Sequence, residues 1–322
     1  MRSILVHIQQ LLMLLMLLIG SITLSAQSFN TGILFNSGLT LGTEYGFPSQ
    51  LNDSTDFQLT KYNLKFSQPL KTKIGIDLKN FNFKKMDAKA SQIFLDYGFG
   101  VVQPSVTDNN NFEHIYKLNV GVTALTASIR KGIWLYSFNA YAEENKDSFS
   151  KSFTPNFRGY FANIKTKNLK TFYFYGAGLV VHQGKFIPFP LLGLKTRLGS
   201  SNFRTEIIIP LHIKLNYRFN NKVNLDIASN FNGLTSIYRK ESGYSSNNQT
   251  LNFRQLKNYI ALNSKLGSHY KIKIEGGYAL LQQISAWEGD YKQDVDAAPY
   301  LGLTLNYSFG KSVFGTFMSQ GD

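Results

Sequence analysis

The residues with obvious chemical potential are few, and their spacing fits no catalytic or metal motif. Beyond residue 26 the chain has four histidines, His114, His182, His212 and His269. None lies in the H-E-x-x-H spacing that puts two imidazoles on one helix face. Each reads as a lumen, girdle or turn residue. Asp290, Asp294 and Asp296 share one segment and carry the oxygen ligands that calcium takes. Their spacing is not that of an EF-hand, and a solvated loop is the expectation. Gly176-Ala177-Gly178 falls inside an alternating stretch rather than between a strand and a helix. It therefore suits relief of crowding better than phosphate binding. The chain has no cysteine, which excludes disulfides and thiolate metal sites. No cofactor is expected, and the chain reads as a non-enzyme. A lipid-active barrel enzyme, its site assembled from distant strands, is a third reading.

A second set of residues is more telling. Lys61, Lys65, Lys73, Lys79, Lys117, Arg204, Lys214, Arg218, Lys257, Lys265, Lys271 and Lys273 alternate with apolar neighbours. Asp77, Glu206, Asp226 and Glu275 follow the same pattern. In a strand such positions share the face opposite the apolar one. Rings of basic side chains select anions in pores, so these residues are candidates to line a lumen. The competing expectation is that they pair with acids and fill an interior. The formal net charge is +14. Because the bases are scattered singly rather than clustered, nucleic acid is not an expected partner.

The elements that must carry these residues are strands. From Phe203 to Phe219 the odd positions are almost all apolar or aromatic, and the even positions include Arg204, Glu206, His212, Lys214 and Arg218. One oily and one wet face, with aromatics at both ends, is the pattern of a strand between lipid and a lumen. Seventeen residues exceed the ~9–11 needed to cross. The segment is therefore either one protruding strand or two short strands turning near Pro210. Similar alternation runs through Phe57–Leu70 and Thr72–Phe83, separated by a turn at Gln68–Lys71, and on to Ala298–Phe309. A loop is expected at Pro104–Glu113. The expected fold is all-β: one transmembrane antiparallel up-and-down barrel of about 12–14 strands. Arg2, the apolar run Leu11–Ile19 and Leu24-Ser25-Ala26 read as a signal peptide over 1–26. The barrel then covers 27–309 and a tail covers 310–322.

Three stretches carry a resemblance: Pro188-Phe189-Pro190-Leu191-Leu192-Gly193-Leu194, Glu206-Ile207-Ile208-Ile209-Pro210, and Leu215-Asn216-Tyr217-Arg218. Together they resemble an uncharacterised family of Gram-negative outer-membrane β-barrel proteins. The resemblance implies location in the cell outer membrane and carries over no catalytic residues. Expected partners are outer-membrane lipid, the barrel assembly machinery during biogenesis, and small solutes. The expected function is a passive pore or anion-preferring small-solute channel. The alternative is a structural or assembly component of an envelope complex. One departure stands out: Phe309 is followed by Gly310–Asp322, whereas many outer-membrane barrels end on an aromatic residue.

Overall fold

The computed structural model describes residues 37–77, 87–107, 114–128, 132–145, 155–168, 170–182, 185–199, 202–238, 249–286 and 292–309. The signal-like segment 1–26, the tail 310–322, Lys79 and Asp290 lie outside the described residues. The strands, in chain order, are β1 (Gly38–Gly46), β2 (Ser49–Asn52), β3 (Thr55–Asp77), β4 (Asp87–Val106), β5 (Ile115–Ser128), β6 (Gly132–Asn145), β7 (Asn156–Asn168) and β8 (Thr171–His182). They continue as β9 (Lys185–Arg197), β10 (Phe203–Ile209), β11 (His212–Arg218), β12 (Val223–Tyr238), β13 (Gln249–Leu266), β14 (Tyr270–Ala286), β15 (Lys292–Val295) and β16 (Ala298–Ser308).

From β3 to β14 each strand pairs with the next, β14 pairs with β16, and β1 pairs with both β16 and β3, which closes the ring. The four-residue β2 and β15 sit on the rim, against β3 and β14. The wall is thus a closed antiparallel barrel of 14 strands. Closure leaves no unpaired edge, the condition for a sheet in hydrocarbon. The outer face carries Leu41, Ile260, Leu262, Leu301 and Leu303, all exposed. At one end Phe203, Tyr217, Tyr270, Tyr307 and Phe309 form an aromatic group, with Phe203 and Tyr217 at 4.7 Å and Tyr270 and Tyr307 at 4.9 Å between ring centroids. An apolar band with an aromatic girdle is the surface an outer-membrane barrel presents to lipid.

One sequence expectation requires correction, and one open alternative is decided. The Gln68–Lys71 segment is no turn. β3 runs unbroken from Thr55 to Asp77, and the register slips by one residue between Pro69 and Lys71, leaving Leu70 as a bulge. The prolyl nitrogen cannot donate to the ladder, and a bulge accommodates that defect. Phe203–Phe219 takes the second of its two expected forms, two short strands turning at Pro210. Its first half turns back on itself through Pro210-Leu211, with Ile208 opposite His212 and the Leu211 amide donating to the Ile208 carbonyl at 2.6 Å. One strand too many and one too few cancel in the count. Pro104 belongs to β4, opposite Leu59, so the loop begins later than expected. With β3 a single strand, the connections after β1, β4, β6, β12 and β14 share one rim. The short turns after β5, β7, β9, β11 and β13, together with both ends of the described chain, share the other.

The interior holds two apolar cores. One gathers Phe94, Leu125, Leu135, Ile164, Phe172, Phe189, Leu191 and Ile208 from the inner faces of β4 to β10. Gly178 makes room there for the Phe189 ring, which lies where a Cβ would stand. The other lies at the long-loop rim: Phe57, Leu59, Val102, Val106, Ile115, Leu234, Phe253, Ile284 and Val295. Phe57 on β3 and Phe253 on β13 are not neighbours in the sheet, yet their rings approach to 5.3 Å. They meet through the interior. At the same rim Ile237 of β12 stands in register with Glu144 of β6, bypassing β7 to β11. The ring is drawn inward where these strands touch.

Candidate functional site

The candidate site is the polar belt inside the wall, below the rim core. Its lysines reach it by alternation. Phe57, Leu59 and Lys61 share the inner face of β3, and Phe253, Gln255 and Lys257 share that of β13. Asn63 continues the inner row of β3 and is exposed, opposite Gly42 and Gly100. Three neighbouring positions without bulky side chains therefore keep a polar, solvent-reached vestibule on that side of the ring.

Most charges in this belt stand beside an opposite one. Lys61 Nζ stands 3.1 Å from Glu44 Oε1, and Lys257 Nζ contacts the other oxygen of the same carboxylate. Lys65 lies 3.5 Å from Asp96, and Lys117 lies 3.2 Å from Glu143. On β10 and β11, Glu206 is shared by Lys214 at 3.3 Å and His212 at 2.8 Å. Lys273 pairs with Glu275 and lies 4.7 Å from the centroid of the Tyr259 ring. Asp226 accepts from Asn216 at 2.6 Å and from Asn263 at 2.9 Å. A charge inside a wall is tolerated only when it is paired and hydrogen-bonded, and six of the predicted bases meet an acid here.

Of the predicted set, Lys61, Lys65, Lys117, Glu206, Lys214, Lys257 and Lys273 are drawn into these ion pairs. Arg204 stands in register beside Arg197 and Asn216. Arg218, Lys265 and Lys271 gather at the short-turn mouth. Arg218 donates to the Asn220 carbonyl in its turn, and Lys265 faces Lys271 across the ladder. Lys73 is the exception. Below the bulge at Leu70 the alternation inverts, so Thr72 and Ile74 oppose the inward Gln92 and Ala90, while Lys73 opposites Ser91 on the outer face. Sequence reading assigned it to the lumen because it took the bulge for a turn. The acids Glu44, Asp96 and Glu143 were missed. Glu44 alternates with Leu41, Thr43 and Tyr45, and Asp96 with Tyr97 and Phe99, so the signal that marked the lysines marked these too.

The histidines stay apart. His182 Nδ1 is 3.4 Å from the Tyr141 hydroxyl, His269 Nδ1 is 2.9 Å from the Ser308 carbonyl oxygen, and His114 is exposed. Asp294 accepts from Gln283. Among the described residues no group of three or more His, Asp or Glu converges as metal ligands would.

Residues 137–315 match the family described as Domain of unknown function (DUF6268), more than half of the 322 residues. No curated protein matches the chain. Among solved structures, the chain is similar to the COG4313 outer membrane channel from Pseudomonas putida F1. The identity there is 12%, over 87% of this chain and 100% of that one, with a TM-score of 0.40. It is similar to the translocator domain of autotransporter NalP from Neisseria meningitidis at 8% identity, over 96% and 98%, with a TM-score of 0.34. It is similar to the beta domain of the Bordetella autotransporter Brka at 10% identity, over 85% and 100%, with a TM-score of 0.29. Scores this low carry no argument about activity, and the barrel rests on its own strand pairing. By the match over 137–315, this chain belongs to the family described as Domain of unknown function (DUF6268).

Proposed function

We propose that this chain is an outer-membrane barrel that passes small polar solutes through a lumen held shut at the long-loop rim. The observation that carries the reading is the apolar core at that rim, where Phe57 and Phe253 meet through the interior. Beneath it lie the vestibule around Asn63 and the ion-paired belt. The short-turn mouth carries Arg218, Lys265 and Lys271, which favours anions at entry. The paired belt offers no bare basic ring, so the anion preference is modest. The apolar outer face takes outer-membrane lipid as its solvent, and the barrel assembly machinery is the partner during biogenesis. Following other such barrels, the short-turn rim faces the periplasm. The filled interior also fits a second reading, an envelope scaffold that does not conduct.

The test is planar-bilayer recording of the refolded chain lacking residues 1–26, under a salt gradient, beside the variant Phe253→Ser. The parent is expected to be mostly silent, with brief steps whose reversal potential favours anions. The variant is expected to show longer openings. Steady large steps from the parent would overturn the closed-lumen reading. Silence from both, with each shown folded by its heat-dependent gel mobility, would overturn solute passage and leave the scaffold.

A further inference from the structure

From the polar belt we infer a buried binding site for one monatomic anion, of the halide class, between β1, β13 and β16 beneath the rim core. Three independent features meet there. The first is charge. One carboxylate, Glu44, faces two ammonium groups, Lys61 and Lys257, whose side chains are 8% and 3% exposed. The neighbouring acids are already engaged, Glu143 by Lys117 and Glu275 by Lys273. With both lysines protonated the group of three holds one uncompensated positive charge, which burial makes costly unless a counter-ion joins it or one ammonium gives up its proton.

The second feature is unmet hydrogen-bonding capacity. Gln255 is 5% exposed and Tyr300 is 2% exposed. The Gln255 Nε2 and Tyr300 Oη atoms find no hydrogen-bond partner among the described residues. Folded proteins leave few such groups, and each calls for an explanation. Both residues line the same small cavity as Lys257. The Lys257 ammonium stands 4.1 Å from the centroid of the Tyr300 ring. Glu44 lines the cavity as well, with both its oxygens turned onto the lysines. The residues lining this one space thus bear an amide N–H, a phenol O–H and an ammonium, and all three groups can donate to an anion.

The third feature is size. The cavity holds about 20 Å³, against the ~10–15 Å³ that one water requires. A chloride or bromide, a small anion that would neutralise the charge, fits this space. A water would also fit, but it would leave the charge in place. The ion completes the belt whether or not the barrel conducts, so the site stands apart from the function proposed above.

Bromide decides the question. Crystals of the refolded barrel grown with sodium bromide are expected to show an anomalous peak between Lys257, Gln255 and Tyr300. In solution, the folding equilibrium constant should rise roughly tenfold per tenfold rise in chloride above its dissociation constant. Gluconate at equal ionic strength should give no such rise. Lys257→Met leaves Glu44 and Lys61 as a matched pair, so its stability should lose this chloride dependence. Tyr300→Phe keeps the charge and should move the dependence to higher chloride; it also serves if Lys257→Met fails to fold. A cavity holding water alone, or a chloride dependence equal in the parent and both variants, would overturn the site.

Discussion

Replacing Glu44 by glutamine distinguishes a filled interior from an open, watery one. The substitution keeps the shape and removes the one negative charge that Lys61 and Lys257 share. At 3.1 Å and an effective dielectric near 20, each ion contact is worth about 5 kcal/mol of Coulomb energy. The desolvation of three charged groups opposes that gain, so the net contribution is smaller. What the variant leaves behind is two ammonium groups inside the wall without a partner, and breaking buried pairs in this way costs about 3–5 kcal/mol. The assay is urea unfolding of the refolded barrel in chloride-free lipid, followed by tryptophan fluorescence. Trp134 reports from the wall, with its ring 6.2 Å from that of Tyr136 on β6. The double variant with Lys257→Met removes one of the two stranded charges and should recover part of the loss. A coupling energy above about 0.5 kcal/mol between the two sites is expected. The reasoning is refuted if Glu44→Gln stays within about 1 kcal/mol of the parent, the behaviour of solvated pairs. The lysines would then stand in water, and the open-pore expectation would return.

Further predictions follow from single contacts. Gly178→Ala places a methyl group against the Phe189 ring and should cost about 1–3 kcal/mol by overpacking, read as a lower urea midpoint, with partial recovery in Phe189→Leu. Phe253→Ala removes the ring that meets Phe57 and should cost about 3–5 kcal/mol; an unchanged midpoint would mean that the rim core is not packed. In the Phe253→Ser background, Lys65→Glu should shift the reversal potential toward cations, and Lys73→Glu should leave it unmoved because Lys73 lies outside the wall. Equal shifts from both would refute the inversion of β3 at its bulge.

The outer half of this barrel was legible in the sequence because lipid is a uniform solvent. Every outward position asks for the same kind of residue, and alternation such as Leu301, Leu303, Leu305 records that demand directly. A bulge is harder to read, since one inserted residue changes the phase of alternation without changing composition. Gln68-Pro69-Leu70-Lys71 therefore looked like a turn, and Lys73 was placed on the wrong face. The compensating ambiguity at Pro210 did no harm to the faces. Pairing of Phe203 with Tyr217 and of Ile207 with Ile213 keeps odd positions together whether the segment runs straight or folds back. The ion pairs were legible only in part. Alternation showed which lysines point inward, but which carboxylate each one meets depends on a register across strands distant in sequence, as with Glu44 and Lys257.

The inner faces divide the barrel unequally, and that division bears on any path through it. Strands β7, β8 and β9 turn Tyr160, Ala162, Ile164, Phe172, Val180, Phe189 and Leu191 inward, while their outward positions include Phe161, Tyr173, Tyr175, Leu192 and Leu194. Both faces are apolar there because lipid lies on one side and packed side chains on the other, so alternation of polarity fades in this sector. The inward ion pairs and paired amides lie on the rest of the ring, on β1, β3 to β6 and β10 to β14. A hydrated solute keeps its partners only along that polar sector. Opening the barrel then does not require the β7–β9 sector to move. Under the proposed function it requires the rim core over the polar sector, where Phe57 meets Phe253, to part. Substitutions such as Ile164→Ala on β7 should accordingly lower stability and leave the conductance of the opened variant unchanged. If Ile164→Ala instead widened the conducting steps, the path would run through the apolar core, and the polar belt would serve as packing.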